Sequence, residues 1–207
     1  PRCVEAYLFH AQYLGWVLGD GNRAVSVLRK ALEIDPLSVT VMAQLGAQLT
    51  NAGRPEEGLA EVERTLELAP NLVNAHWYRS LACRRLGRFE EAIGWLKETI
   101  PITGKPLHLV GELALSYAQS GRFTEAKSIL EEGELGVAQP YYVALVLAAV
   151  GETDTAFEWV ERAYEDRDQL LAAIRSTWDL AWDRDDPRFQ AVVRKMNLPK
   201  GDGDRWT

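Results

Sequence analysis

The chain has 207 residues, 47% apolar and 26% charged, enough for a sizeable core or for a lengthwise stack of helical pairs. A formal net charge of −7 argues against a face built to neutralise phosphates, and the longest apolar run, residues 141–150, is too short to cross a bilayer, so neither nucleic acid nor membrane is an expected partner. The opening PRCVEAYLFH lacks an initiator Met and the order of a secretory signal, so it reads as a processed or internal end, and the widely separated Cys3 and Cys83 point to a reducing, cytoplasmic setting.

Residues 5–18 carry helical apolar spacing, GDGN at 19–22 breaks it, and residues 23–34 resume a helix that Asp35 and Pro36 end. This is a first hairpin, 5–36. A second, 39–70, turns at Ala52, Gly53, Arg54 and Pro55, where Gly53 suits a left-handed C-terminal cap and Pro55 a helix start. A third, 73–104, turns within LGRFEEA, and a fourth, 107–136, within SGRFTEA. Gly19, Gly53, Gly87 and Gly121 recur every 34 residues, each followed five positions later by a small residue: Ala24, Gly58, Ala92 and Ala126.

A fifth hairpin, 137–168, carries Ala144, Gly151 and Ala156 in the same pattern, but Gly151 follows Gly121 by only 30 residues. About one helical turn is therefore missing, most easily near residues 133–136, which predicts a change of superhelical pitch. Residues 169–199 are then a linker and a capping helix, with Asp186 as N-cap, Pro187 in the first turn, and Phe189, Val192, Val193 and Met196 as its apolar stripe. The polar end, 200–207, is expected to be flexible.

Small residues twelve apart explain how two antiparallel helices approach closely: Gly46 facing Gly58, Ser80 facing Ala92, Ala114 facing Ala126. In the first hairpin Gln12 stands at the small position, which implies a helix shifted by one residue or a modified first unit. No hairpin of this kind buries its apolar face alone, so stability must come from stacking.

The 34-residue register, the small positions and the closing prolines resemble the tetratricopeptide repeat family. The resemblance implies an all-α, right-handed solenoid of about five helix-turn-helix units with a C-terminal capping helix. Residues 140–168 and 185–199 further resemble the repeat regions of bacterial signalling proteins linked to a kinase, a nucleotide cyclase or a winged-helix domain. They depart from these at IRSTWDLAWD, 174–183.

Chemistry is sparse. His10, His76 and His108 lack ligand partners at metal spacing, the acidic pairs Glu56 with Glu57 and Glu90 with Glu91 suit first helical turns, and no phosphate loop or nucleophile motif is present. No enzyme activity, metal or cofactor is expected. The resemblance places the first helix of each pair along a concave groove, which makes Phe9, Tyr13, Trp16, Asn51, Asn74, Trp77, Tyr78, Arg84, Arg85 and His108 the candidate peptide-binding residues. The family's clamp for a terminal carboxylate is missing, since Tyr13, Ala47 and Leu81 occupy its Asn positions. Arg79, Arg84, Arg85 and Arg88 cluster beside Trp77 and Tyr78, and forked hydrogen bonds from them would suit an acidic or phosphorylated peptide. Taken singly, each arginine reads rather as a solvated cation at a helix C-terminus, and the aromatics equally as packing between repeats or against an N-terminal domain.

The expectation is a non-enzymatic scaffold or adaptor that binds a peptide or protein segment in its groove. Alternatives are the C-terminal regulatory arm of a larger signalling enzyme or transcription regulator, and self-association through Phe9, Tyr13 and Trp16.

Overall fold

The computed structural model describes residues 3–177 and 185–198. Among these the chain is an all-α solenoid with no strand. Successive helices pair through short turns: α1 (Val4–Gln12) with α2 (Gly21–Ile34), α3 (Val39–Asn51) with α4 (Pro55–Leu68), α5 (Val73–Arg85) with α6 (Phe89–Ile102), and α7 (Leu107–Gln119) with α8 (Phe123–Glu131). After a short α9 (Glu134–Ala138), α10 (Pro140–Ala149) pairs with α11 (Thr153–Glu165). A 3-10 turn (Gln169–Ala173), α12 (Ile174–Thr177) and α13 (Pro187–Lys195) complete the described chain. The tail 200–207, linker residues 178–184 and the last residue of the capping segment, 199, lie outside the described residues.

The turns share one construction. Gly53, Gly87, Gly121 and Gly151 have φ between 70° and 88°, the left-handed region that closes a helix without a Cβ clash. Each is followed by an amide that reaches back five residues: Arg54 N–H to the Leu49 carbonyl at 3.0 Å, Arg88 to Cys83, Arg122 to Tyr117 and Glu152 to Leu147 at 2.9 Å. At the next helix start, Arg54, Arg88 and Arg122 fork onto Glu57, Glu91 and Glu125. These pairs are exposed and contribute little to stability.

The first pair departs from this plan in an informative way. Ala11, not Gln12, is the fully buried small residue opposite Ala24, one position too early for the register. The chain absorbs the extra residue as a π-helical turn, Tyr13–Val17, after which Asp20 N–H reaches back six residues to Leu14 at 2.8 Å. A one-residue insertion is thus confined to the helix end, and the side chains of Tyr13 and Trp16 are set by it.

At the crossing of α3 and α4, backbones come close enough that a Cβ on Gly58 would lie 2.6 Å from the Gly46 carbonyl oxygen and 3.1 Å from the Thr50 nitrogen. The shortened spacing of the last repeat appears in α8, which has nine residues where α4 and α6 have fourteen, with α9 beside it. The largest apolar cluster joins α7, α10 and α11 to the C-terminal segment and includes Phe189, Val192 and Val193 of α13. Asp186 caps that helix through the Arg188 amide at 2.8 Å, and the Arg188 guanidinium ties it to Asp154 of α11 at 2.6 Å.

A pair of substitutions separates packing from helix propensity. Gly58→Ala should destabilise by about 1–3 kcal/mol because the methyl meets backbone, whereas Gly94→Ala, in exposed helix with nothing within 4 Å, should stabilise by about 0.5–1 kcal/mol. Urea denaturation midpoints of the two variants, moving in opposite directions, check this.

Candidate functional site

The first helices α1, α5, α7 and α10 converge on one cavity of about 600 Å³. Seven of the ten predicted residues line it: Phe9, Tyr13, Trp16, Asn74, Trp77, Tyr78 and His108. Asn51, Arg84 and Arg85 do not. Trp16 and Trp77 stack with ring centroids 5.8 Å apart and planes 5° from parallel, Tyr78 leans on both, and His108 meets Trp77 edge-on at 5.5 Å. Rings from the first and third pairs can meet because α3 between them presents Ala43 and Ala47, both fully buried in the same cluster. Offset and edge-on ring contacts of this kind add stability beyond the area they bury.

Behind the aromatic wall lies a buried polar centre. Glu112 of α7, 3% exposed, accepts at Oε1 from Trp77 Nε1 at 3.0 Å and from the Tyr142 hydroxyl at 2.9 Å. Its Oε2 accepts from Arg84 Nε at 2.9 Å, and Arg84 Nη1 donates to Gln119 Oε1 at 2.9 Å. The Tyr142 ring fits because residue 111 is glycine: a Cβ there would lie 2.5 Å from it. Burial, reinforced by the Glu112 charge, pushes the Tyr142 phenol well above its ordinary range. Tyr78 donates to Gln44 Oε1 at 2.8 Å, and burial pushes its phenol up as well.

This geometry corrects the reading of the arginines as a ligand clamp. The Arg84 side chain is 1% exposed and fully engaged by Glu112 and Gln119. Arg85 Nη2 donates to the Ser176 carbonyl at 3.0 Å, Arg79 lies over the Trp95 ring and reaches Glu63, and Arg88 forks onto Glu91. All four bond within the chain, but only Arg84 meets a buried carboxylate; Arg79 and Arg88 pair with exposed ones and Arg85 with a backbone carbonyl.

The far wall of the cavity is the chain's own C-terminal segment. Residues 169–177 leave α11, cross the concave face and reach the π-helical turn of the first pair. Asp168 anchors this strap by accepting from the Tyr141 amide at 3.0 Å, Leu171 and Ile174 are buried, and Arg175 backbone passes against Gly19. Gln169, Leu170, Ala172 and Ala173 line the cavity opposite the rings, and Leu170 also packs with Trp16, Trp77, Leu81 and Tyr142.

Sequence reasoning missed the strap, Gln12, Gln139 and Tyr142. Tyr142 was within reach: Gln44, Tyr78, Glu112 and Tyr142 all precede the small crossing residue by two positions, so the register carried into the fifth pair points to it. The cavity's remaining polar groups are neutral. His108 Nε2 and Gln139 Oε1 are buried atoms with no hydrogen-bond partner among the described residues, and burial holds the His108 imidazole below its ordinary range, against a smaller opposing pull from Glu112.

A tetratricopeptide repeat family model matches residues 48–105, which span most of the second and third pairs. No curated protein matches the sequence. Among solved structures, a thermophilic tetratricopeptide repeat protein of Thermus thermophilus is 18% identical, with a TM-score of 0.69 over 93% of this chain and 100% of that one. The structure titled MamA MSR-1 C2 is 20% identical, with a TM-score of 0.50 over 78% of this chain and 92% of that one. At such identities the likeness is one of fold, and it extends the repeat architecture to nearly the whole chain.

Two predictions test the site's construction. Glu112→Gln, which leaves the Arg84 charge buried without its counterion, should lower stability by about 3–5 kcal/mol in urea denaturation. His108 resists protonation in the fold but not in the unfolded chain, so acid favours unfolding. Its contribution is complete above the ordinary value of 6.5 and is lost as pH falls through the lower folded value. The wild type should therefore lose more stability between neutral and mildly acidic pH than His108→Gln does, read from denaturation midpoints across that interval.

Proposed function

We propose that this chain is a non-enzymatic protein-interaction module and that it receives a partner segment at the aromatic cavity. The observation that carries the reading is convergence: side chains from four separate helical pairs and the strap meet around one open volume. Tetratricopeptide repeat folds generally mediate protein contacts, which supports the class of function, and the preorganised aromatic wall supports the place. Rings already stacked and hydrogen-bonded lose little freedom when a partner arrives, so more of the contact energy appears as affinity.

The partner's segment meets Phe9, 69% exposed, and Tyr13, 41% exposed, at the mouth, and then Trp16, Asn74 and Trp77 deeper in. Tyr78 acts from behind, by fixing Trp16 and Trp77. Arg84 serves the reading indirectly, by holding Glu112 and through it Trp77. An acidic partner gains no support from Arg84 and Arg85, which bond within the chain, while Arg88 stays exposed beside Glu91.

Self-association through Phe9, Tyr13 and Trp16 is a second reading, favoured by the exposure of the first two. A regulatory role toward a further domain in the same protein would use the same surface. A scaffold in the cytoplasm of a bacterial cell is the setting that suits the reading.

Phe9→Ala with Tyr13→Ala should leave helical content and melting unchanged. Capture of partner protein by the immobilised chain, from an extract of its source cells, should fall at least about tenfold, a loss of about 1.4 kcal/mol. Undiminished capture would place the contact elsewhere. Concentration-dependent mass in sedimentation, abolished by the same double substitution, would identify the partner as a second copy.

A further inference from the structure

The first pair and the strap lie at opposite ends of the solenoid, and they meet where the π-helical turn Tyr13–Val17 touches the 3-10 turn Gln169–Ala173 and α12. Buried apolar side chains are divided between the two sides of this contact rather than shared across it. Leu14, Val25 and Leu28 of the first pair cluster with Val41, Leu45 and Leu49 of α3, whereas Leu171 and Ile174 of the strap belong to the cluster of α7, α10 and α11. What meets across the contact is mostly small or backbone. A Cβ on Gly19 would lie 3.6 Å from the Arg175 carbonyl oxygen, and Ala172 and Ala173 come to the cavity beside Trp16 and Val17. Leu170 reaches Trp16, and both stay only partly buried.

Each side is held without the other. The strap is rooted in the last pairs by Leu171 and Ile174, and by Asp168, which accepts from the Tyr141 amide at 3.0 Å and the Leu170 amide at 2.9 Å. It is tied to the third pair as well, through Arg85 Nη2 on the Ser176 carbonyl at 3.0 Å, so the first pair is the part free to move. Parting the first pair from the strap opens no shared buried cluster, and segments that expose little apolar core on opening do so at low cost. Closing, in turn, buries the charged Arg175, 5% exposed, and a charge taken out of water offsets part of what closure gains. Stacked repeats touch chiefly their neighbours, so the curvature that brings the ends together is a sum of small inter-repeat rotations and relaxes without loss of any one pair. The cavity straddles the contact: Phe9, Tyr13, Trp16 and Val17 stand on the first pair, and Gln169, Leu170, Ala172 and Ala173 on the strap.

We propose that the contact between the π-helical turn and the strap is a releasable seam: the first pair swings away from the strap as a unit, and the aromatic cavity widens and narrows with it, whatever it receives.

The test uses the full chain with Cys3→Ser and Cys83→Ala, nitroxide labels, and distances from double electron–electron resonance. Lys30→Cys on α2 with Glu158→Cys on α11 spans the seam; Ser128→Cys on α8 with Glu158→Cys is a control within the last pairs, and all three positions are exposed. Urea below the global unfolding transition should add a longer component to the cross-seam distance while the control distance and the helical circular dichroism stay unchanged. Val17→Asp and Ala173→Asp, one lesion on each side, should each raise the open-to-closed ratio without urea at least about tenfold. The two together should add little to either alone, because both break the same contact. A cross-seam distance that changes only as helix is lost overturns the proposal, since the contact would then belong to the cooperative core. So does a cross-seam distance that neither lesion changes. Where a lesion prevents folding, the urea series on the intact seam decides. Neither readout involves a partner, so failure of the interaction reading and failure of the seam are told apart.

Discussion

The site depends on one buried carboxylate. Glu112 reaches from the fourth helical pair to Trp77 and Arg84 of the third and Tyr142 of the fifth, with both oxygens engaged. A carboxylate taken out of water is tolerated only where its lone pairs meet donors, and here a guanidinium, an indole N–H and a phenol O–H supply them. The consequence is geometric as much as energetic. Three consecutive pairs are registered against one atom group, and the Trp77 ring is held by its nitrogen with its faces turned to Trp16, Tyr78 and the cavity. Apolar packing alone would leave that ring free to choose among rotamers; the hydrogen bond chooses one.

Much of the architecture is written locally, which is why the sequence discloses it. The turn glycines, the small crossing residues and the N-terminal acidic pairs each act within one hairpin, and a period of 34 repeats the same local solution. Even the anomaly at Gln12 is visible as a one-residue slip. What the sequence could not settle was how the slip is absorbed, since a shifted helix and a modified unit leave the same trace. The π-helical turn absorbs it between Ala11 and Gly19, so the crossing of α1 with α2 and the turn after it both keep their geometry.

The site was legible where it follows the register and opaque where it depends on closure. Phe9, Tyr13, Trp16, Asn74, Trp77, Tyr78 and His108 are found by asking which first-helix positions face inward, and they do meet at one cavity. The fate of the arginines could not be found this way. Arg84 and Glu112 are separated by 28 positions, and nothing in either helix alone reveals that superhelical curvature brings them to 2.9 Å in a buried setting. The strap is harder still: residues 169–177 carry no repeat signature, and their docking against the first pair exists only because the solenoid curves far enough to present its two ends to each other.

That closure changes the surface that the fold offers. An open helical groove selects ligands by displaying side chains along a track, so its specificity grows with the length of the bound segment. A groove crossed by its own chain instead offers a bounded volume, and specificity passes to whatever single group fits the volume and satisfies its polar atoms. The internal bonds of Arg84 and Arg85 act in the same direction. By spending Arg84 on Glu112 and Arg85 on the strap, the chain turns two guanidinium groups of its third pair to internal bonds and leaves aromatic and amide groups lining the cavity. Contacts with such groups are weakly screened by salt, because little of their strength comes from charges separated by solvent. A cavity of this design offers shape and short-range contact, even on a chain of net charge −7.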